Sequence, residues 1–221
     1  GGSTDKSLEI IKKYNFVNLI IKKDKNMYEA INNGINISKH PIVTYINVDD
    51  NYCDNVLEYV LTIFNSNPDI DFIYGDTNIL DNKGNLLYKY KCFDLISSFN
   101  MRCSIIPWLQ PSFFFRRKVF EELGGFDTEY NLASDYDFFK KVLTSNYKGM
   151  YVKKTLSSFM KRKDSLSYKF KEDLANEVIK INKNLNIKTN YFLELFLNIT
   201  RKLYNYEKII YQIKNIFVRK K

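Results

Sequence analysis

The sequence predicts an α/β fold, a mostly parallel sheet flanked by helices and followed by a helical extension. Three observations carry this reading. Short apolar runs of strand type alternate with segments of helical period through roughly residue 75. From 76 to about 116 the pattern shifts toward hairpins. Beyond about residue 165 the segments KFKEDLANEVIKINKNL and YFLELFLNITRKLYNYEKIIYQIKNIFVRKK read as helices with no strand between them. The 221 residues therefore divide into a main domain over 1–160 and a helical extension over 161–221.

Taken in order, GGSTDKSLEIIKKY is a loop and a short helix, with Asp5 as N-cap. FVNLII, residues 16–21, is a compact apolar strand closed by the polar loop KKDKN. Met27, Ala30, Ile31, Gly34 and Ile35 recur at helical spacing, predicting a helix over 27–39 that Pro41 ends. IVTYINVDDNY, residues 42–52, is an apolar β-type run ending in two adjacent acids, Asp49 and Asp50. Asp54 then caps a helix whose inner face carries Val56, Val60, Ile63 and Phe64.

DFIYGD is the next strand, and DNKGN at 81–85 is a hairpin turn. PSFFFRR contributes a strand with Phe113 to Phe115 in the core, and Arg116 and Arg117 are solvated at its end. KVFEEL is a short helix stopped by Gly124-Gly125, an αL-type ending. SDYDFFKKVLTSN is a helix with a capping box from Ser134 to Asp137, and KGMYVKK is the last strand.

At 45% hydrophobic and 16% aromatic the chain can bury a sizeable core, which excludes a disordered tether. Its only histidine, His40, argues against a zinc site or a His-based triad. Cys53, Cys92 and Cys103 share no metal-type spacing and read as thiols of a reducing compartment. The net charge of +9 suits a phosphate-bearing ligand, nucleic acid or an anionic membrane, without choosing among them. No recognised nucleic-acid motif is present, and no nucleic-acid partner is expected.

Asp49 and Asp50 raise the central question, because adjacent like charges repel. They could serve as helix caps, but Asp54 already fills that role. In open α/β sheets ligands bind beyond the carboxyl ends of strands. Paired carboxylates there suit Mg²⁺ or Mn²⁺, hard cations that leave coordination positions open for phosphates.

Read together, GGSTDKSLEIIKKY, KDKNMYEAINNGI, YINVDDNY, DFIYGD, QPSFFFRRKVFEELGGFD and ASDYDFF resemble the family 2 glycosyltransferases, bacterial enzymes of polysaccharide and glycolipid synthesis. The likeness spans roughly residues 1–155. It implies the GT-A fold, a Rossmann-like sheet, with a nucleotide-sugar donor, a divalent metal and inversion at the anomeric carbon. Asp49 and Asp50 match the acidic motif that holds metal and donor diphosphate, with Mn²⁺ or Mg²⁺ as the expected cofactor.

Asp135 matches the general base that deprotonates the acceptor hydroxyl; the alternative is an acid placed at a helix start by the macrodipole. Ser3, Asp24, Asn32 and Asn47, with Asp49, fall at donor-binding positions, and Trp108 and Gln110 lie where the acceptor pocket is expected. Trp108 has the alternative of simple core packing. Lys22, Asn26 and Glu29 depart from the family's frequent residues, which bears on donor choice rather than reaction type.

GGSTD resembles the interior of the family's DGGSTD-type motif, so a strand, a helix and a second strand are expected to precede it in the parent enzyme. A fragment, a truncated gene or a Gly-Gly scar joined to STDKS would each explain this start, and a truncated chain is expected to be inactive alone. A degenerate, non-catalytic sugar-binding or scaffold domain is the alternative function.

Residues 185–221 carry eight basic against two acidic residues, a net of +6, interleaved with apolar side chains. This is the pattern of a basic amphipathic helix lying on an anionic membrane, or of a helix packed on the main domain with a solvated lysine face. The expected location is the cytoplasm, peripheral on the inner face of the cell membrane, with a saccharide or lipid-linked acceptor.

Overall fold

The computed structural model of the chain describes residues 3–93, 105–187 and 191–218. Cys103 and the residues around the middle of the hairpin region lie outside this range, as do Lys188 and Arg219 to Lys221 at the ends of the tail.

The sheet is organised around one long strand. The first two strands, β1 (Ile42–Val43) and β2 (Asn51–Tyr52), are short, and β3 (Phe72–Leu80) is central. The hairpin turn at 81–85 leads to β4 (Leu86–Tyr90), which pairs with the second half of β3; β5 (Phe113–Arg116) pairs with the first half. Along the other side of β3 runs β6 (Gly149–Met160), and the order is β1-β5-β3-β6-β2 with β4 beside β3. The α/β class stands, but the sheet is mixed: β3–β6 is the one parallel pairing among the described strands, and the others are antiparallel.

Two apolar runs account for that difference. FVNLII forms no strand here; Phe16 is 80% exposed and Ile21 63%. The run 42–52 does not stay one strand either. It pairs at Ile42–Val43, turns where the Asp50 N–H donates to the Asn47 carbonyl, and pairs again at Asn51–Tyr52. The last strand is longer than the sequence suggested, because β6 continues to Met160 alongside β3. Opposite Gly75 the register shifts, and a Cβ there would meet the Lys154 carbonyl at 2.7 Å, so glycine is required for the two strands to close.

Period-two alternation divides the core. Phe72, Tyr74, Phe113 and Phe115 face one side, with Trp108, Phe126 and Phe138; Ile73, Phe114, Val152 and Leu156 face the other, against the helix that carries Val56, Val60 and Phe64. Each fully buried Phe contributes roughly 1.5–3 kcal/mol.

In chain order the helices begin with α1 (Ser7–Ile11), where the Asp5 carboxylate accepts the Ser7 N–H, and α2 (Met27–Ile37), capped by the Asn26 side chain on the Glu29 N–H. α3 (Val56–Ser66) starts from Asn55 in the left-handed region at φ 58°, so Asp54 is not its cap as the sequence suggested. α4 (Arg117–Leu123) ends on Gly124 at φ +77°, as the paired glycines predicted. Arg116 and Arg117 are not solvated strand ends. The Arg116 guanidinium donates to the carbonyls of Phe64, Asn67 and Ile70 at the end of α3, and Arg117 donates to Ile35 and His40 at the end of α2. Both place positive charge against carbonyls at and just beyond helix C-termini.

After α5 (Ser134–Thr144) and β6 come α6 (Leu166–Lys169), α7 (Lys171–Asn184), α8 (Tyr191–Tyr204) and α9 (Tyr206–Val218). α9 docks on the outer edge of β4. The Asn205 side chain pairs with the Lys91 backbone in both directions, accepting its N–H at 2.7 Å and donating to its carbonyl at 3.1 Å, while Glu207 accepts the Lys89 N–H at 3.2 Å. Tyr211 packs on Tyr88, with ring centres 5.6 Å apart.

Candidate active site

The turn between β1 and β2 puts the two acids in unlike surroundings. Asp50 is 6% exposed; its carboxylate accepts the Met160 N–H at 3.0 Å and the Asn47 side-chain amide at 3.4 Å. Burial raises its pKa, the neighbouring Asp49 charge adds to the rise, and the Met160 N–H opposes it. Asp49 is half-buried and faces Arg162, whose guanidinium lies 3.9 Å from its carboxylate and pairs more closely with Asp164 at 2.5 Å. Neither acid caps a helix.

Gln110 supports this turn. It donates to the Tyr45 carbonyl at 2.6 Å and accepts from Asn47 at 3.4 Å. Burial pushes the Tyr45 hydroxyl well up, and the charges of Asp135 and Asp50 add to the rise. Its ring packs edge-on against Phe126, which in turn stacks on Tyr28.

Asp135 sits in the first turn of α5 and remains partly exposed. Its Oδ1 accepts the Tyr136 N–H at 2.8 Å and the Tyr28 hydroxyl at 3.1 Å. Enclosure by protein raises its pKa; these two donors pull the other way, and the Glu177 charge adds to the rise. A partly exposed carboxylate of raised pKa is suited to accepting a proton from a substrate hydroxyl. The capping box does not form: Ala133 is the N-cap of α5, Ser134 Oγ has no hydrogen-bond partner among the described residues, and Asp137 pairs with Lys141 at 2.6 Å.

Other sequence-predicted residues are placed differently. Asn32 is held by the backbone of one residue: it donates to the Phe126 carbonyl at 2.8 Å and accepts the Phe126 N–H at 2.9 Å, a structural tie between α2 and the loop after α4. Trp108 is 2% exposed, stacked on Phe113 and tilted against Tyr74, so no face of its ring is open to a sugar; it is a core residue. Asp24 accepts from Asn33 at 2.8 Å in the loop before α2, and Ser3 is exposed near the start of the chain. The structure thus gathers Asn47, Asp50 and Gln110 at the turn after Tyr45, with Asp49 beside Arg162, and links Tyr45 through Phe126 and Tyr28 to Asp135. Tyr45, Tyr28 and Glu177 were not singled out from the sequence.

As for a divalent cation, Asp49 offers hard oxygens at an accessible position, while Asp50 spends its oxygens on Met160 and Asn47. No group of three or more His, Cys, Asp or Glu side chains suited to a metal occurs among the described residues. One or two carboxylates suffice for Mg²⁺ or Mn²⁺ when phosphate and water complete the shell. The residues are compatible with an ion held in that form, through the accessible carboxylate of Asp49.

A groove of about 1390 Å³ opens beside these acids. Met160 and Arg162 connect it to them, Tyr168 and Asp81 line its walls, and α9 closes it with Tyr211 and Gln212.

The family profile described as Glycosyl transferase family 2 matches residues 1–124, more than half of the chain. The chain belongs to glycosyl transferase family 2. Among curated relatives, it is 28% identical over 128 residues to an uncharacterized glycosyltransferase of Rickettsia felis, covering 55% of this chain and 21% of that protein. It is 25% identical over 144 residues to a PGL/p-HBAD biosynthesis glycosyltransferase of Mycobacterium bovis, covering 62% and 54%. The chain therefore spans between a fifth and about half of these relatives. Among solved structures, S. aureus TarS 1–349 in complex with UDP-GlcNAc superposes with a TM-score of 0.60 at 18% identity, covering 90% of this chain and 61% of that one. That likeness establishes the shared GT-A-type fold.

Proposed function

We propose that the chain is the catalytic part of an inverting glycosyltransferase that moves a sugar from a nucleotide-sugar donor to a saccharide or lipid-linked acceptor. The observation that carries this reading is the run of contacts from the Asn47–Asp50 turn through Tyr45, Phe126 and Tyr28 to Asp135, which links the carboxylates assigned here to the donor diphosphate with the one assigned as base. The likeness to a fold solved with UDP-GlcNAc supports a donor of that class.

In this reading Asp49 holds Mn²⁺ or Mg²⁺, which when bound neutralises charge on the leaving nucleoside diphosphate. Asp50 fixes the turn by gripping the Met160 N–H, and Arg162 stands ready to exchange its contact with Asp49 for a phosphate oxygen. Asp135 takes the proton of the acceptor hydroxyl as that oxygen attacks the anomeric carbon, and the carbon–oxygen bond to the diphosphate breaks on the opposite face. Further sugar units of the acceptor are assigned to the groove beside Met160 and Arg162, where Tyr168 lines the wall.

The test is release of UDP from UDP-GlcNAc with Mn²⁺. Asp135→Asn should lower turnover by roughly 10²- to 10⁴-fold while leaving UDP binding intact, and Asp49→Ala should abolish metal-dependent binding measured by titration calorimetry. Undiminished turnover in Asp135→Asn removes the base assignment. Binding of UDP and Mn²⁺ without turnover in any variant favours a non-catalytic sugar-nucleotide-binding domain.

A contact with the inner face of the cell membrane is a second element of the proposal. Leu195, Ile199 and Leu203 recur every fourth residue on α8 and stay 45%, 49% and 68% exposed, next to Arg201 and Lys202. Among the described residues no helix is long and apolar enough to cross a membrane, so this contact would be peripheral. Co-sedimentation with anionic vesicles should fall when Ile199 and Leu203 become Ser, and an unchanged bound fraction removes the contact.

A further inference from the structure

The segment leading into Asp135 is held by a side chain from the helical extension. The Glu177 carboxylate of α7 accepts three consecutive backbone N–H groups, from Asn131 at 2.9 Å, Leu132 at 2.9 Å and Ala133 at 2.8 Å. The carbonyl of Leu132 accepts the Tyr28 hydroxyl at 3.1 Å, and that same hydroxyl reaches Asp135. A second set of contacts joins the two elements. The Tyr136 hydroxyl donates to Asn182 at 2.8 Å, Asn184 donates to the Tyr130 hydroxyl at 3.1 Å, and Ile181 packs with Tyr130 and Ala133.

We propose that Glu177 is a positioning residue for Asp135, setting the entry of α5 from 44 to 46 residues away and making the extension part of the catalytic apparatus. The inference rests on reading Asp135 as the base. A carboxylate accepting three N–H groups fixes the peptide planes that lead into the first turn of α5, where Asp135 sits. It binds the amides just ahead of the helix, up to that of Ala133 at its N-cap. The ionisable groups facing Asp135 are Tyr28 from α2, Tyr45 from the loop after β1, and Glu177 from α7. The Glu177 charge disfavours a second negative charge nearby, so it keeps Asp135 a better proton acceptor.

The test uses the full chain in wild-type, Glu177→Gln, Glu177→Asp and, as a control on the exposed start of α7, Glu172→Gln forms. Hydrogen exchange is read at Asn131, Leu132 and Ala133, and the Asp135 carboxyl is titrated by carbon-13 NMR. Glu177→Gln should accelerate exchange at those amides but not in β3, and should move the Asp135 midpoint down, since a negative neighbour is gone. UDP release from UDP-GlcNAc should fall by roughly ten- to a hundredfold in kcat with KM unchanged. Glu177→Asp keeps the charge but falls a methylene short, and should lose amide protection with a smaller shift in midpoint; it carries the test if Glu177→Gln does not fold. Unchanged exchange and an unchanged midpoint in both variants overturn the proposal. Altered exchange and midpoint, together with full turnover in Asp135→Asn, uphold the positioning link and remove the base.

Discussion

FVNLII at 16–21 and FFF at 113–115 are similar strings with opposite fates. Both are apolar, compact and of strand type. FFF lies in β5 between β1 and β3, and each of its rings is 1–2% exposed. FVNLII forms no ladder, and Phe16 is 80% exposed. The difference is in partners rather than propensity. An extended segment becomes a strand when neighbours on both sides satisfy its N–H and C=O groups and an opposing layer covers its side chains. β5 has β3 beside it and α3 and α5 on its two faces.

The largest effect should come from breaking the buried member. Phe114→Ala removes a ring packed between α3 and β6 and should cost about 3–5 kcal/mol, read as a drop in denaturant midpoint. A loss below ~1 kcal/mol would mean that this layer is not close-packed.

Asp50→Asn sharpens the comparison at the turn where the other apolar run breaks. Its carboxylate is buried with a raised pKa, so at neutral pH its ionisation works against folding. Asparagine keeps an oxygen for the Met160 N–H, and should add on the order of 0.5–2 kcal/mol of stability. The sign with pH follows: a raised folded-state pKa makes wild type relatively more stable as pH falls through that value. The gap between the two melting temperatures should therefore narrow on acidification. A gap that widens contradicts the assignment.

The smallest effect belongs to the exposed member. Phe16→Ala should shift stability by no more than ~0.5 kcal/mol. A larger loss would show that 16–21 is covered in solution.

Much of this architecture was legible from local pattern. The helices at 27–37, 56–66, 117–123 and 134–144 lie where period and stop signals put them, and the Asp81–Asn85 hairpin turn and the β3 strand do as well. Legibility failed where a residue's partner is far away in sequence. Asn32 looked like a ligand contact because nothing local shows that Phe126 occupies both ends of its amide. Trp108 carries a residue type suited to sugar stacking, but four aromatic neighbours, Phe72, Tyr74, Phe113 and Phe139, enclose it. Ser134 and Asp137 have the spacing of a capping box, yet Asp137 pairs with Lys141, and Glu177 holds the amides just ahead of the helix. The acids at 49 and 50 could be recognised as unusual, but their division into a buried anchor and an accessible carboxylate depends on Met160, which lies 110 residues from Asp50.

The carboxamide of Asn205 imitates a neighbouring strand, offering Lys91 the same give-and-take that a β-bridge would. Shorten the protein ahead of that residue and the rim of β4 becomes a vacant berth. Its free amides would then recruit an extended segment from another molecule, and self-association would follow from losing one side chain's mimicry.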